Sequence, residues 1–487
     1  MKPEDTWTNT AIRNKIMFSA FCLTAPNSGS GKTTLSIGLM RLLAKKNAVQ
    51  AFKCGPDYID TSYHNTASFR TSYNLDTWLM GEEEVQAVFQ DKTKNCDIAI
   101  IEGVMGLFDG KFQKKAETKR KIPSIPGSTA HIAQILSLPL IMVIDCKGMA
   151  QSISAVVRGF YEQSKEYGLN LAGIIANNVG SEKHYAMLKE SLETWNLPPL
   201  LGYLPKNSTA SFKERQLGLS HIFRTNPNLE KNIDELAAIL SEHIDIEKLL
   251  SVTQYAPPSF DIPARPIKTS LKISKAPKIG IAYDEAFCFY YPQNIEALKR
   301  MGYACSFFSP LKDKKLPNVE ALYFGGGFPE IYAEKLSKNT QLRTEIKNFA
   351  EDYGDIFAEC GGYMYLCSSL KIKSDTKSKT KKETVPAQKV TEQAKTKQYP
   401  LCNVFQATAT MGNKLRSLGY REGIFLEKPF FWQNGQKTFH GHEFHWSDIE
   451  LHAKYDPFLE VNQKPFGIRY KNVFASYMHF YFAHLLT

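Results

Sequence analysis

Short apolar runs alternate with stretches of helical period from residue 16 to about residue 248. The runs predict strands over 16–23, 48–54, 97–102, 140–145, 171–177 and 200–204, with amphipathic helices such as 35–45 and 152–167 between them. Strand and helix in regular alternation imply a parallel sheet covered on both faces, because each crossover lays its helix against the sheet. The stretch 255–277, which opens YAPPSFDIPARP, interrupts the periodicity and reads as a linker. A second alternation starts at residue 278, with strands expected over 279–283, 304–308, 321–324 and 355–358 and helices over 294–301 and 341–353. Shorter β-like segments follow. The expectation is therefore two α/β units, 14–250 and 278–487, joined by a linker over 251–277.

Composition changes this picture little. At 487 residues, 43% hydrophobic and 22% charged, the chain has the make-up of a soluble globular protein with room for two or three full cores. No run reaches the ~18 apolar residues of a bilayer span, and the opening MKPEDTWTNTAIRNK has no signal-peptide core. A cytoplasmic protein without a membrane partner is expected. Nine cysteines stand singly, with no C-x-x-C pair, which favours reduced thiols over disulfides or a zinc site. The net charge of +11 raises the question of nucleic acid, and its distribution answers it. Residues 371–397 carry nine lysines against three acids in a segment without aromatics. Such a segment buries too little apolar surface to order itself. Residues 374–398 are thus expected to form a solvated insertion, and no nucleic-acid partner is expected.

The first chemistry lies at FCLTAPNSGSGKTT, residues 21–34. An apolar run, a Ser/Gly turn and the start of a helical pattern together make a phosphate cradle of backbone N–H groups and helix dipole. Ser28, Gly29, Ser30, Gly31, Lys32, Thr33 and Thr34 form it, with Lys32 placed for the β/γ-phosphates and Thr33 for Mg²⁺. Pro26 stands where the P-loop pattern has its first Gly. Glu102 closes the buried run DIAIIE, where a second Mg²⁺ contact is expected, and Asp109 lies on the loop beyond. In FKCGPDYID, Lys53, Asp57 and Asp60 crowd a Gly-Pro turn at a strand end, where α/β sheets bind ligands. Those carboxylates could serve metal or substrate. Asn177 and Asn178, at another strand end, are candidates to read a nucleotide base or to form a turn.

The second unit offers a nucleophile. IFAECGGYMYL sets Cys360 between a strand and a helix pattern with two glycines after it, the layout of a nucleophile elbow. A helix N-terminus there is expected to favour thiolate. Gly326 and Gly327 in YFGGGFPE, with Gly361, are candidates for an oxyanion hole. His479 in FASYMHF is the candidate base, and His440, His442 and His445 fit no familiar zinc spacing.

Taken together, APNSGSGKTT, FKCGPDYID with Tyr63, His64 and NLDTW after it, IEGVMGLFDG, PGSTAHIA, DCKGMAQS, DEAFCFYYPQN, FGGGFPEIYA, AECGGYMYL, GHEFHWS and FASYMHF resemble the cobyrinic acid a,c-diamide synthase family. The resemblance implies a P-loop synthetase unit of the dethiobiotin-synthetase type followed by a class I glutamine amidotransferase unit. It implies ATP as co-substrate with Mg²⁺, L-glutamine as nitrogen donor, a cobyrinic-type macrocycle as acceptor, and Cys360 and His479 as the glutaminase pair. It places Asp57, Asp60, Glu102 and Asp109 on positions tied to Mg²⁺ and carboxylate substrate, and Tyr58 and Ile59 beside them in substrate recognition. Thr33, Asp57 and Glu102 are then the metal candidates, with Asn178 assigned to the nucleotide. Hydrogenobyrinic acid or nickel sirohydrochlorin are alternative acceptors, a P-loop ATPase switch with a silent glutaminase is an alternative of another class, and a homodimer is left open. One departure stands out: class I glutaminases commonly carry an acid two residues after the histidine, and here that residue is Tyr481. Glu443 is then a candidate to orient His479.

Overall fold

The computed structural model describes residues 18–111, 125–206, 227–258, 276–373, 396–433 and 435–482. Seven strands form the first sheet: β1 (Ser19–Thr24), β2 (Val49–Cys54), β3 (Tyr73–Leu75), β4 (Ile98–Glu102), β5 (Leu140–Asp145), β6 (Leu171–Val179) and β7 (Leu200–Pro205). Their order is β3-β2-β4-β1-β5-β6-β7, and every pairing is parallel. The central strands are mostly apolar because helices cover both faces, and every residue of β1 and β4 is buried. Helix α1 (Lys32–Ala44) turns Leu35, Leu39, Met40 and Leu43 inward. It lies so close to the helix Pro227–His243 that a side chain at Gly38 would meet Leu236 and Leu240. Helix α2 (Ile59–Ser68) starts where the Asp57 carboxylate accepts the N–H groups of Ile59 and Asp60 at 2.7 and 2.8 Å.

The second unit opens with β8 (Lys278–Ala282), β9 (Phe287–Phe289), β10 (Ala304–Phe308), β11 (Ala321–Phe324), β12 (Gly326–Gly327) and β13 (Asp355–Glu359). Its main sheet runs β10-β8-β11-β13 and continues through Val473–Ser476 and Ile468–Tyr470, parallel except for the last strand. Two further sheets, one of four strands and one of five, are built almost wholly from residues after 366. The chain is thus α/β in both units, with a β-rich tail folded onto the second.

Two expectations shift at their edges. The helix Ile246–Val252 runs into the expected linker, and Thr253 and Tyr255 belong with the first sheet: the Ser19 hydroxyl donates to the Thr253 carbonyl at 3.0 Å and the Tyr255 hydroxyl to the Leu136 carbonyl. Residues 259–275 lie outside the described residues. The strand Thr396–Pro400 takes the last residues of the expected insertion and pairs with Cys367–Lys373, whereas 374–395 lie outside the described residues. All nine cysteines are free thiols. No helix among the described residues is long and apolar enough to cross a membrane.

The two units share one hydrophobic core. Polar contacts stitch the seam: Gln293 donates to the Asn74 carbonyl at 2.9 Å, the Tyr73 hydroxyl and Lys92 both reach Glu296, and the Tyr420 hydroxyl donates to Asp76 at 2.7 Å. The C-terminal ends of β2 and β3 therefore face the second unit. That placement decides how the two chemistries meet.

Candidate active site

The P-loop turns on glycines that take left-handed backbone, Gly29 at φ 81° and Gly31 at φ 96°. A larger residue at Gly31 would also collide with the Asn177 side chain, which donates to the Ser30 carbonyl at 2.9 Å. Asn177 thereby braces the loop. Asn178, at φ 59°, instead donates its amide to Asp145 at 2.8 Å at the end of β5. Lys32 donates to the carbonyls of Asn27 and Met105 at 3.2 and 2.5 Å, so its ammonium rests among the oxygens of two loops. Burial, aided by the nearby Lys53 charge, lowers its pKa.

Glu102 is fully buried at the end of β4 and gathers the neighbouring groups. The Thr33 hydroxyl donates to its Oε1 at 2.5 Å, and Lys53, opposite Glu102 in the β2/β4 register, reaches the same oxygen at 2.8 Å. His64 Nε2 lies 2.7 Å from Oε2, and Lys53 also reaches Asp60 Oδ2 at 2.6 Å. Burial opposes ionisation of Glu102, yet Lys53 and His64 hold its carboxyl far below the usual carboxylate range. Asp60 goes the other way: burial pushes it up to about 8 against the pull of Lys53. His64 was not among the residues assigned from sequence. The sign was its spacing, since Asp60 and His64 are four apart on one helix and so share a face.

Asp109 accepts the Gly106 N–H at 2.8 Å and ties the loop after β4 back upon itself. No group of three or more His, Cys, Asp or Glu among the described residues could hold a metal alone. Mg²⁺ makes no such demand, taking one or two carboxylates with phosphate oxygens and water. The Thr33 hydroxyl and the Glu102 carboxylate, both oxygen donors at the mouth of a phosphate cradle, fit that chemistry.

In the second unit, β13 ends and the backbone turns sharply at Cys360, whose φ of 46° and ψ of −103° are strained for a residue with a side chain. The strain is held by the Cys360 N–H donating to the Ser476 carbonyl at 2.8 Å and by the helix Gly361–Leu366 that follows. The Gly361 N–H points toward the sulfur. The expected thiolate is absent: burial, with the charge of Glu330 adding to it, pushes the Cys360 thiol up to about 12. A helix of six residues is too short to offset that desolvation.

His479 arrives three residues after Ser476 and lies against Gly326, where a Cβ would sit 2.5 Å from its Cε1. The Gly327 nitrogen is 3.0 Å from the point where a Gly361 side chain would begin. Gly327 and Gly361 thus meet at the elbow, and Gly326 is the floor under the imidazole. Burial, with His442 and His445 adding, pushes His479 down to about 3. His442 faces it across the sheet and is pushed down to about 4, and the buried Nδ1 atoms of both rings have no hydrogen-bond partner. Glu443 does not orient His479: it is taken by Arg421 at 2.7 Å, Ser417 at 3.0 Å and His445 at 3.3 Å. Tyr481 turns away to Glu84.

Tyr58 joins the two halves. Its ring stacks on Phe289 and Tyr291 of the second unit, with centroids 5.1 and 4.5 Å away, and lies 5.2 Å from the His479 ring. Its chain neighbours Asp57 and Asp60 stand at the Lys53–Glu102 cluster. Tyr58 thus packs against the His479 side of the second unit, while its chain neighbours belong to the Lys53–Glu102 cluster of the first.

Two family models match the chain: the CobQ/CobB/MinD/ParA nucleotide binding domain over residues 21–217 and the CobB/CobQ-like glutamine amidotransferase domain over 278–485. Among curated proteins, the cobyrinate a,c-diamide synthase of Caldanaerobacter subterraneus subsp. tengcongensis is 37% identical over 470 residues, covering 95% of each chain. Proteins of that name from Picrophilus torridus, 38% identical over 94% of each chain, and Listeria innocua, 36% identical over 96% of each, also match.

Proposed function

The chain belongs to the cobyrinate a,c-diamide synthase family, and on that premise we propose that it amidates the a and c acetate carboxylates of cobyrinic acid, with ATP as activator and glutamine as nitrogen source. We assign the activation to residues 14–250 and the glutaminase to 278–487. The observation that carries this reading is Tyr58, packed on His479 while its neighbours stand at the Lys53–Glu102 cluster. A phosphate cradle and a cysteine elbow joined across this seam suit a reaction in which one makes an acyl acceptor and the other delivers a small nucleophile to it.

A carboxylate is a poor acyl donor because it has no adequate leaving group. Its oxygen attacks the γ-phosphorus of ATP to give an acyl phosphate and ADP, and the later attack of ammonia expels phosphate. Such a transfer rests on positioning and cations more than on covalent chemistry. In this reading, Ser28 to Thr34 cradle the phosphates and Lys32 leaves the carbonyls of Asn27 and Met105 to meet their charge. Thr33 and Glu102 would hold Mg²⁺, with Asp57 nearby, and the ion would supply charge neutralisation on the phosphates. Asp57, Tyr58, Ile59, Asp60 and Asp109 border the carboxylate to be activated, and Asn178 stands on the nucleotide side.

Cys360 attacks the glutamine amide. Because the thiol is protonated at rest and His479 is neutral, the proton passes from sulfur to imidazole as the bond forms and then to the departing ammonia. Gly327 and Gly361 offer backbone N–H groups to the developing oxyanion. Water then hydrolyses the thioester to glutamate.

The test is an amidation assay with ATP and glutamine and three acceptors in parallel: cobyrinic acid, hydrogenobyrinic acid and nickel sirohydrochlorin. Two amidations of cobyrinic acid, with one ADP for each, are expected. Turnover of another macrocycle in its place would reassign the acceptor, and ATP hydrolysis without amidation of any would overturn the reading.

A further inference from the structure

Three carboxylates lie near enough to Cys360 for their charge to act on its thiol: Glu330, Glu359 and Glu443. Two are fully engaged. Glu359 accepts the Tyr323 hydroxyl at 2.7 Å and the Phe480 N–H at 2.9 Å. Glu443 is held by Arg421, Ser417 and His445. Glu330 is different: among the described residues its carboxylate has no ion pair, and it meets only its own backbone N–H.

The backbone places the loop that carries this carboxylate. The loop after β12 runs Phe328-Pro329-Glu330 and is pressed onto the elbow: Pro329 Cδ and the Gly327 nitrogen are each 3.0 Å from where a Gly361 side chain would begin. The Phe328 N–H donates to the Ala286 carbonyl at 2.9 Å and pins the loop from its other side. Glu330 is partly buried and directly follows Pro329, the residue that meets Gly361 at the elbow. Burial raises its pKa to about 7.

The substrate proposed for Cys360 brings one cation. Glutamine's reacting amide is neutral, and its α-ammonium lies four bonds from the carbonyl carbon, roughly 5 Å when extended at ~1.5 Å per bond. A carboxylate one residue beyond Pro329, which itself meets the elbow at Gly361, is placed to receive that ammonium. We propose that Glu330 receives the α-ammonium group of glutamine and thereby selects an α-amino acid amide over amides that lack the amine. The inference rests on the glutaminase reading given above and adds the residue that sets its donor specificity.

The test compares glutamine with glutaramate, the same amide acid without the α-amine, by ammonia release in the full enzyme with ATP and macrocycle present. A hydrogen bond between charged groups at a partly buried site corresponds to about 10- to 100-fold in kcat/KM. The wild type is expected to prefer glutamine by that factor. Glu330→Gln is expected to lower kcat/KM for glutamine by the same factor, chiefly through KM, and to leave the value for glutaramate unchanged, so that the preference disappears. If glutaramate turns over too slowly to follow, its inhibition constant against glutamine gives the same ratio. Glu330→Asp keeps the charge and is expected to retain part of the preference, which provides the reading should the Gln variant not fold. Equal losses on both amides, or a preference that survives Glu330→Gln, would overturn the assignment. A wild type that releases no ammonia from glutamine would instead sink the glutaminase reading itself.

Discussion

Lys53 is the point at which stability and chemistry of the first unit are most tightly joined. Its ammonium is buried between Asp60 Oδ2 at 2.6 Å and Glu102 Oε1 at 2.8 Å, and Glu102 is itself wholly excluded from solvent. Lys53→Met keeps the length of the side chain, leaves the ionised Glu102 without its cation and leaves Asp60, pushed up to about 8, without its partner. Removing one partner of a buried ion pair costs ~3–5 kcal/mol, most of it from the charge left behind. For a unit of 150–250 residues, each kcal/mol moves the midpoint by ~2–4 °C, so thermal unfolding should begin ~6–20 °C lower. Asp60→Asn in the same chain removes one of the stranded acids. The double variant should therefore recover part of the loss, with a coupling of about 0.5–3 kcal/mol, the range for residues in direct contact. The assay is thermal unfolding followed by circular dichroism for wild type, both single variants and the double. A Lys53→Met midpoint within about 2 °C of wild type, on the scale of that same ~2–4 °C per kcal/mol, would refute the reasoning. So would strictly additive effects of the two substitutions.

The remaining predictions concern the second unit. Cys360→Ser should abolish glutamine-dependent amidation and retain amidation supported by ammonium chloride; loss of both would break the division of labour between the units. With the Cys360 thiol pushed up to about 12, its alkylation by iodoacetamide, followed by peptide mapping to separate it from the other eight cysteines, should rise steadily with pH and show no plateau below about pH 9. A plateau near neutrality would mean a preformed thiolate. His479 and His442, pushed down to about 3 and 4, should be neutral imidazoles throughout the neutral range, so no histidine titration at these two rings should appear above pH 5 in the resting enzyme by NMR.

What could be read from sequence was local. The cradle at residues 28–34 and the elbow at Cys360 each need only a strand, a turn and a helix contiguous in the chain, and alternating apolar runs reveal such units. Pro26 did not disturb the loop because the demanding backbone angles fall at Gly29 and Gly31. What escaped depends on strand length, distance or burial. The β-rich tail after residue 366 includes strands of only two or three residues, too short to leave a periodic trace that resolves its sheets. The thiol of Cys360 was expected to be acidic from its place before a helix, and only the packing around it shows why it is not. Tyr58 looked like a companion of Asp57 and Asp60, yet its ring belongs to the seam with Phe289, Tyr291 and His479. Glu443 was a candidate partner for His479, and the Arg421 that claims it sits on a neighbouring strand.

The central claim is that the γ-phosphoryl group held at Lys32 and Thr33 goes to a substrate carboxylate and not to water. Cobyrinic acid carrying ¹⁸O in its a and c carboxylates tests this directly, with turnover in unlabelled water, ATP and glutamine and mass analysis of the phosphate released. Passage through an acyl phosphate requires each expelled phosphate to carry one carboxylate oxygen, so one ¹⁸O per amide formed is the expected result. Phosphate free of ¹⁸O, from a reaction that still yields the diamide, would contradict the account.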